Sequence, residues 1–176
     1  QILFAGGKWV GNYISPELEV PEAHRAVLMQ VGAYARDHGH VADEGINCGI
    51  DYFVSGDEVI VTEINARWTG GLFPAEFLRR LAITQPAVAF FDMVPVAQSK
   101  AVQTFQREHL FPAAGDAFAY VPMGFTPFAM EIEGAERYFV WQIVVGDFAA
   151  FVEAKRQKLP EDTFPTAELI LQEALS

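Results

Sequence analysis

The chain has 176 residues, of which 51% are hydrophobic and 20% charged, so it can bury the core of one domain. Its 12 basic and 23 acidic residues give a formal net charge of -11, which argues against a surface that binds nucleic acid or an anionic membrane. The single cysteine, Cys48, favours a reducing, cytoplasmic compartment, and no run approaches the roughly 20 apolar residues of a membrane span.

The N-terminal part of the chain predicts two strands, a helix and a hairpin. Residues 1–15 are typical of two short strands around a glycine turn. Apolar residues recur at helical spacing over 21–37, and the glycine that follows suits a helix end. Residues 46–54 and 58–64 are strand-like and are separated by the turn residues 55–57, which predicts a β-hairpin.

Beyond the hairpin, a helix is predicted to begin near Pro74, at a position that proline favours. Periodicity leaves the apolar run 87–97 open between a strand and a short buried helix. The remaining predicted elements are a helix over 101–110, strands over 117–127 and 138–146, and helices over 148–159 and 165–175. The mixture predicts an α+β fold with a mostly antiparallel sheet flanked by helices.

The hairpin carries polar side chains where a half-buried strand would place apolar ones. Residues two apart on a strand share a face, so Glu63, Asn65 and Arg67 are predicted to project together, with Val61 below them. The turn places Asp51 on the partner strand, close to position 61 or 63 and within cross-strand reach of Glu63. The pattern therefore predicts two carboxylates and an amide in one cluster, with a guanidinium beyond them.

Such a cluster suits Mg²⁺, which prefers oxygen ligands and commonly combines protein carboxylates with substrate phosphates. Arg67 would offer a planar fork to a phosphate or carboxylate oxygen on the same side. Together these groups indicate a site for phosphoryl transfer. Alternatively, Asp51 and Glu63 are the general acid and base of a hydrolase, a scheme that gives Asn65 and Arg67 no role.

A plainer alternative is a solvated hairpin face, with Glu63 and Arg67 as surface charges. Against it, the run 59–61 and Ile64 put apolar residues on both faces, which is typical of a central strand. Close approach of the backbone to another group is indicated by glycines around the cluster, at positions 45, 49, 70 and 71.

The segments G-I-D-x-x-V and V-x-E-I-N-A-R-W-T-G-G resemble the C-terminal part of the ATP-grasp fold. Carboxylate–amine ligases, biotin carboxylase and carbamoyl phosphate synthetase share this fold. The second segment, and the opening Q-I-L-x-x-x-G-x-x-x-G-N, are similar to the ligases related to the pheganomycin-type peptide ligases. The resemblance covers roughly residues 1–81. It implies that residues 1–85 are the C-terminal half of an ATP-grasp module and that 86–176 are an α+β appendage packed on it.

The resemblance also implies roles for individual residues. Asp51, Glu63 and Asn65 would be the ligands of Mg²⁺ or Mn²⁺ bridging the phosphates of ATP, and Arg67 a catalytic contact to the phosphate or acyl phosphate. The implied cofactor-binding set consists of Asn12, Arg67, Gly70 and Gly71.

A complete ATP-grasp module has an earlier subdomain with a glycine-rich lid and phosphate-binding lysines. No segment of this sequence matches that subdomain. The resemblance therefore implies part of a ligase that joins a small carboxylate to an amine through an acyl phosphate. The isolated chain is expected to be inactive without an N-terminal half, supplied in cis or in trans. The start of the chain on a strand-like segment likewise predicts a piece of a longer protein.

The alternative from another functional class is a non-catalytic interaction or regulatory module that keeps the half-fold without turnover. In either case the abundant aromatic residues, among them 15 Phe and 3 Trp, predict apolar surface covered by the missing half or by a partner in a homodimer.

Overall fold

The computed structural model describes residues 1–40, 48–111 and 115–175, and its chain forms two compact units. Residues 1–16 and 83–176 belong to the first unit, and residues 17–82 to the second. The described residues include five α-helices and form mostly antiparallel sheet, which confirms the predicted α+β class. None of the helices in the described ranges is both long enough and apolar enough to cross a membrane.

In chain order the elements are β1 (Ile2–Ala5), β2 (Lys8–Ile14), α1 (Glu22–Asp37), β3 (Gly49–Ser55), β4 (Glu58–Asn65), α2 (Leu72–Arg80), β5 (Ala87–Pro95), α3 (Ser99–Glu108), β6 (Phe118–Phe125), β7 (Met130–Ile132), β8 (Ala135–Gly146), α4 (Phe148–Lys158) and α5 (Pro165–Leu169). A 3-10 turn (Val96–Gln98) precedes α3, and a π-helical turn (Ile170–Ala174) follows α5. The run 87–97 is therefore mainly a strand. Strand β7 was not predicted, and the predicted start of β3 at residue 46 lies outside the described residues.

The first unit is built on a six-stranded antiparallel sheet. Its strands lie in the order β1–β2–β5–β8–β6, and β7 pairs with the opening residues of β8. Strand β5 lies between β2 and β8, and successive side chains along it are buried, which is why its sequence is apolar at consecutive positions rather than at alternate ones. Because β2 pairs with β5, residues 1–16 are held in the same unit as the C-terminal part of the chain.

Helices α3, α4 and α5 supply the side chains that cover one face of this sheet. Phe151 of α4 is fully buried at the centre of their shared core. Its ring centroid lies 5.6 to 6.4 Å from those of Phe90, Phe105, Phe118, Phe148 and Phe164. Aromatic packing of this kind contributes more than the buried area alone, so the first unit has a well-defined core.

The second unit contains α1, the hairpin β3–β4 and α2. Its hairpin is a two-stranded sheet, and in the described part of the chain β4 pairs only with β3. The expectation of a central strand was therefore wrong, and Phe53, Val54 and Ile60 of the hairpin are exposed. Among the residues of this unit that the structure describes, the buried ones are Ala35, Asn65, Pro74 and Leu78.

A carboxylate in the middle of the first sheet has a structural explanation. Asp92 of β5 is buried and accepts hydrogen bonds from the first turn of α5. Its Oδ1 accepts from the backbone N–H of Met93 at 2.9 Å and of Thr166 at 3.0 Å, and its Oδ2 from that of Ala167 at 3.0 Å. Asp92 thus caps a helix whose Thr166 lies 74 residues further along the chain, and it satisfies N–H groups that have no partner inside that helix. Burial raises the pKa of Asp92 to about 7, although these N–H donors act in the opposite direction.

We expect the replacement Asp92→Asn to change the pH dependence of stability. With a pKa raised from 3.8 to about 7, Asp92 makes the folded protein bind the extra proton, so its contribution to stability falls as pH rises through that window. Asparagine does not titrate. The free energy of unfolding of the variant, relative to wild type, should therefore increase by up to about 1.4 kcal/mol per pH unit between pH 4 and 7.

Urea unfolding at several pH values measures this difference. Glu161→Gln, which removes an exposed carboxylate of the same unit, is the matched control for the loss of a carboxylate. Parallel stability curves for wild type and Asp92→Asn would show that folding does not raise the pKa of Asp92.

Candidate functional site

The hairpin β3–β4 begins to pair at a tight turn. Ser55 pairs with Glu58 across Gly56 and Asp57, and Gly56 has φ of +60°, a conformation that glycine adopts without steric strain. From this turn the ladder is regular as far as the pair formed by Tyr52 and Val61.

The ladder is interrupted at the next position by a β-bulge. The register shifts between Asp51 and Tyr52, so that Thr62 is an additional residue and Glu63 pairs with Asp51. Val61 was predicted to share a face with Glu63, and this is wrong. It pairs with Tyr52, which is the neighbour of Asp51 and points to the other face, because a bulge changes the phase of the alternation.

Beyond the bulge, the predicted cluster of Asp51, Glu63 and Asn65 forms on one face. Asn65 pairs with Gly49 and is only 7% exposed, and its Nδ2 donates to Oδ2 of Asp51 at 3.2 Å. The Oγ1 of Thr62 donates to the backbone carbonyl of Asp51 at 3.0 Å. The side chain and the backbone of Asp51 are thus both held from β4, while Glu63 opposite it is exposed.

The electrostatics of this cluster are unbalanced. Asp51 and Glu63 are directly opposite each other, an arrangement of like charges that destabilises a sheet. In the described ranges no Lys, Arg or His forms an ion pair with either carboxylate. A cation placed between them would relieve the repulsion.

The composition of the cluster sets which cations fit. Two carboxylates and an amide provide hard oxygen donors, which suit Mg²⁺ or Mn²⁺ rather than a metal that prefers sulfur or imidazole. Groups of three or more His, Cys, Asp or Glu that could hold a metal do not occur among the described residues. The hairpin cluster has two acidic members, so a metal here would need further oxygens from water or substrate.

Arg67 lies outside the strand. Strand β4 ends at Asn65, and the backbone N–H of Arg67 donates to the carbonyl of Asn65 at 2.8 Å, which turns the chain. The strand alternation that was expected to align Arg67 with Glu63 therefore stops two residues earlier. The guanidinium is exposed and donates through Nη1 to the carbonyl of Trp68 at 3.4 Å.

One of the bracketing glycines makes the close approach predicted for it. A Cβ on Gly49 would overlap with the methyl carbon of Thr69, so the segment after β4 packs against the start of β3. The hydroxyl of Thr69 in turn accepts from the N–H of Leu72 at 3.4 Å, at the start of α2. A Cβ on Gly70 would meet open space, Gly71 caps the N-terminus of α2, and position 45 lies outside the described residues.

Asn12, the remaining member of the predicted cofactor-binding set, belongs to the first unit. It lies on β2, where it pairs with Ile2 and Ala89, and it is half-buried. Its predicted role stays a prediction.

Sequence reasoning missed two threonines of the second unit, Thr62 and Thr69. Both act through hydroxyl hydrogen bonds to the backbone, and neither belongs to the polar stripe that marked the site. The turn did carry a usable signal for the first of them. Regular pairing counted from a two-residue loop places Thr62, not Glu63, opposite Asp51, so a shared face for the carboxylates requires an irregularity.

Comparisons with models of protein families, with curated proteins and with solved structures found no match for this chain.

We expect Gly49→Ala to destabilise the second unit by about 1–3 kcal/mol, because the added methyl group forces Thr69 to move or to break its hydrogen bond with Leu72. Gly70→Ala is the matched control, since its Cβ meets open space, and it should be neutral or slightly stabilising. Thr69→Ser keeps the hydroxyl and removes the methyl group.

The double variant Gly49→Ala with Thr69→Ser should therefore recover part of the lost stability in a double-mutant cycle measured by urea unfolding. Strictly additive effects of the two substitutions would contradict the close contact.

Proposed function

We propose that this chain carries the metal-binding half of an ATP-dependent carboxylate–amine ligase, with the candidate metal ligands in the second unit, residues 17–82. The observation that supports the proposal most directly is the register of the hairpin. It sets Asp51 opposite Glu63 and joins Asn65 to Asp51 by a hydrogen bond. These are the residues that the resemblance in G-I-D-x-x-V and E-I-N-A-R implies as metal ligands.

In this proposal Asp51, Glu63 and Asn65 hold Mg²⁺ or Mn²⁺. The ion supplies positive charge that neutralises the phosphates of ATP during transfer. The protein's part is to bring two carboxylates together at the end of a hairpin and to keep Asp51 oriented through Asn65. Repulsion between the carboxylates, which destabilises the free hairpin, then favours the metal-bound form.

Arg67 contributes a guanidinium that is exposed just past the end of β4. Its planar donors suit a phosphate oxygen or a substrate carboxylate. Because the chain turns after Asn65, the direction of the Arg67 side chain is not set by the alternation of β4. Gly70 and Gly71 follow in the same loop, where the open space around Gly70 allows a ligand to approach the backbone. We assign these residues to the binding of ATP.

The proposed reaction has two steps. A substrate carboxylate oxygen attacks the γ-phosphorus of ATP, and ADP leaves. The amine nitrogen then attacks the carbonyl carbon of the acyl phosphate, loses a proton, and displaces inorganic phosphate. A small carboxylate and an amine are the substrates, and the single cysteine is compatible with a cytoplasmic setting.

The second unit supports the idea of a missing half. An isolated two-stranded hairpin is marginally stable in water, and this one is flanked by two helices with few buried residues. The described residues of this unit include many exposed large apolar side chains: Leu18, Val20, Met29, Tyr34, Phe53, Val54, Ile60, Trp68, Phe73 and Leu81. An N-terminal ATP-grasp half, in cis or in trans, would cover part of this surface. Self-association into a homodimer is the other way to cover it.

Glu63→Gln should weaken Mn²⁺ binding by at least about tenfold, since it removes one of two charged donors. Titration of the chain with Mn²⁺, followed by water-proton relaxation, measures this directly. Glu58→Gln removes a carboxylate at the turn end of the same strand and should leave the Mn²⁺ affinity unchanged. Equal Mn²⁺ affinities for wild type and both variants would show that Glu63 is not a metal ligand.

Nucleotide assays separate the ligase from its non-catalytic alternative. By itself the chain should bind Mg·ATP only weakly, and submicromolar affinity in calorimetry would contradict the half-site. In a protein that also contains the N-terminal half, phosphate release from ATP should require both Mg²⁺ and a carboxylate substrate, and Asn65→Ala should abolish it. Metal binding without any phosphate release would instead favour a regulatory module.

A further inference from the structure

The shared face of the two carboxylates depends on the bulge in β4. Counted from the turn without interruption, the ladder would put Thr62 opposite Asp51 and Glu63 opposite Ile50. Adjacent residues on a strand point to opposite faces, so Glu63 would then lie on the face away from Asp51. The observed pairing of Glu63 with Asp51 exists because the additional residue is accommodated at Thr62.

The hydroxyl of Thr62 lies where the bulge must be held. A bulge leaves one residue unpaired and disrupts the ladder locally, which removes backbone hydrogen bonds at that point. The Oγ1 of Thr62 donates to the backbone carbonyl of Asp51 at 3.0 Å. A side-chain donor thus satisfies a backbone acceptor at the interruption, on the residue whose own side chain belongs to the cluster.

We propose that Thr62 is a positioning residue of the candidate metal site: its hydrogen bond to Asp51 locks the bulged register and thereby keeps Glu63 and Asn65 on the face of Asp51. The consequence for metal binding rests on the proposed function. The consequence for register does not, because it concerns only which residues of β3 and β4 are opposite each other.

Two substitutions separate the hydroxyl from the shape of the side chain. Thr62→Val keeps the branched β-carbon, which suits a strand, but removes the donor. Thr62→Ser keeps the donor and removes a methyl group. Thr62 is exposed, so neither change creates a cavity in a core. If Thr62 were merely a residue that favours strands, valine would serve as well and serine less well.

The first measurement is Mn²⁺ affinity of the full chain by water-proton relaxation. Losing a typical hydrogen bond changes an equilibrium by about three- to tenfold, and the apparent affinity falls with the population of the binding-competent register. We therefore expect Thr62→Val to weaken Mn²⁺ binding about three- to tenfold and Thr62→Ser to stay within about twofold of wild type.

The second measurement needs no metal. In a Cys48→Ser background, the pair Asp51→Cys and Glu63→Cys should form a disulfide readily on oxidation, since directly opposite residues have suitable separation. Adding Thr62→Val should reduce this cross-link and increase that of the pair Ile50→Cys and Glu63→Cys, which reports the regular register. The pair Tyr52→Cys and Val61→Cys lies between bulge and turn and should not respond.

The outcomes distinguish the two proposals. Cross-linking that is the same with threonine, serine and valine at position 62 overturns the role of Thr62, whatever the metal result. A shift in cross-linking with valine alone supports that role, and a parallel loss of Mn²⁺ affinity supports its link to the metal site. If cross-linking shifts but wild type binds no Mn²⁺, the role of Thr62 in register stands and the proposed metal function falls.

Discussion

The candidate site depends on the phase of one strand. Side chains on a strand alternate between two faces, so the face on which a residue lies is determined by its register with the partner strand. In the hairpin β3–β4 the turn alone would separate Asp51 from Glu63, and the additional residue at Thr62 brings them together. The hydrogen bond between Asn65 and Asp51, and the unbalanced charge of the pair, both follow from this single irregularity.

The chain handles acidic groups in two physically different ways. Asp92 is buried in the first unit, where three backbone N–H groups satisfy its oxygens, and burial raises its pKa to about 7. Asp51 and Glu63 remain accessible and receive no cation from the described residues. The first arrangement ties a distant helix to the sheet. The second leaves donor capacity toward solvent, which is what a binding site requires.

The sequence predicted the elements well where periodicity was regular. Helices α1 and α4 and the strands of the hairpin have distinct patterns and sharp ends, and they lie within a few residues of the predicted ranges. Clustering of Asp51, Glu63 and Asn65 was predicted from period-two alternation and a tight turn, but the pairing that brings the two carboxylates together comes from the bulge. Prediction failed where tertiary context decides: the bulge reversed the face of Val61, and the chain turned before Arg67 could continue the strand.

Strand β4, which was expected to be central, belongs to a hairpin with exposed apolar side chains. Apolar residues on both faces of a strand usually mean that both faces are covered. Here Phe53, Val54 and Ile60 are exposed, and β4 pairs only with β3 among the described residues. The sequence pattern of the hairpin thus suits strands with both faces covered, and the described residues do not provide that cover. This is the strongest physical reason to look for a partner.

That mismatch also bears on how the site could work. A binding constellation must be held rigidly by packing and by hydrogen bonds around it to be effective. The hairpin has a few such supports, in the contacts of Thr62, Asn65 and Thr69, but little core beneath it. A partner that covers the apolar face would stabilise the hairpin and favour the same register as a bound cation, because each binds preferentially to that folded form. Under the proposed function, metal and partner should therefore each increase the affinity of the chain for the other, as reciprocal coupling between two sites requires.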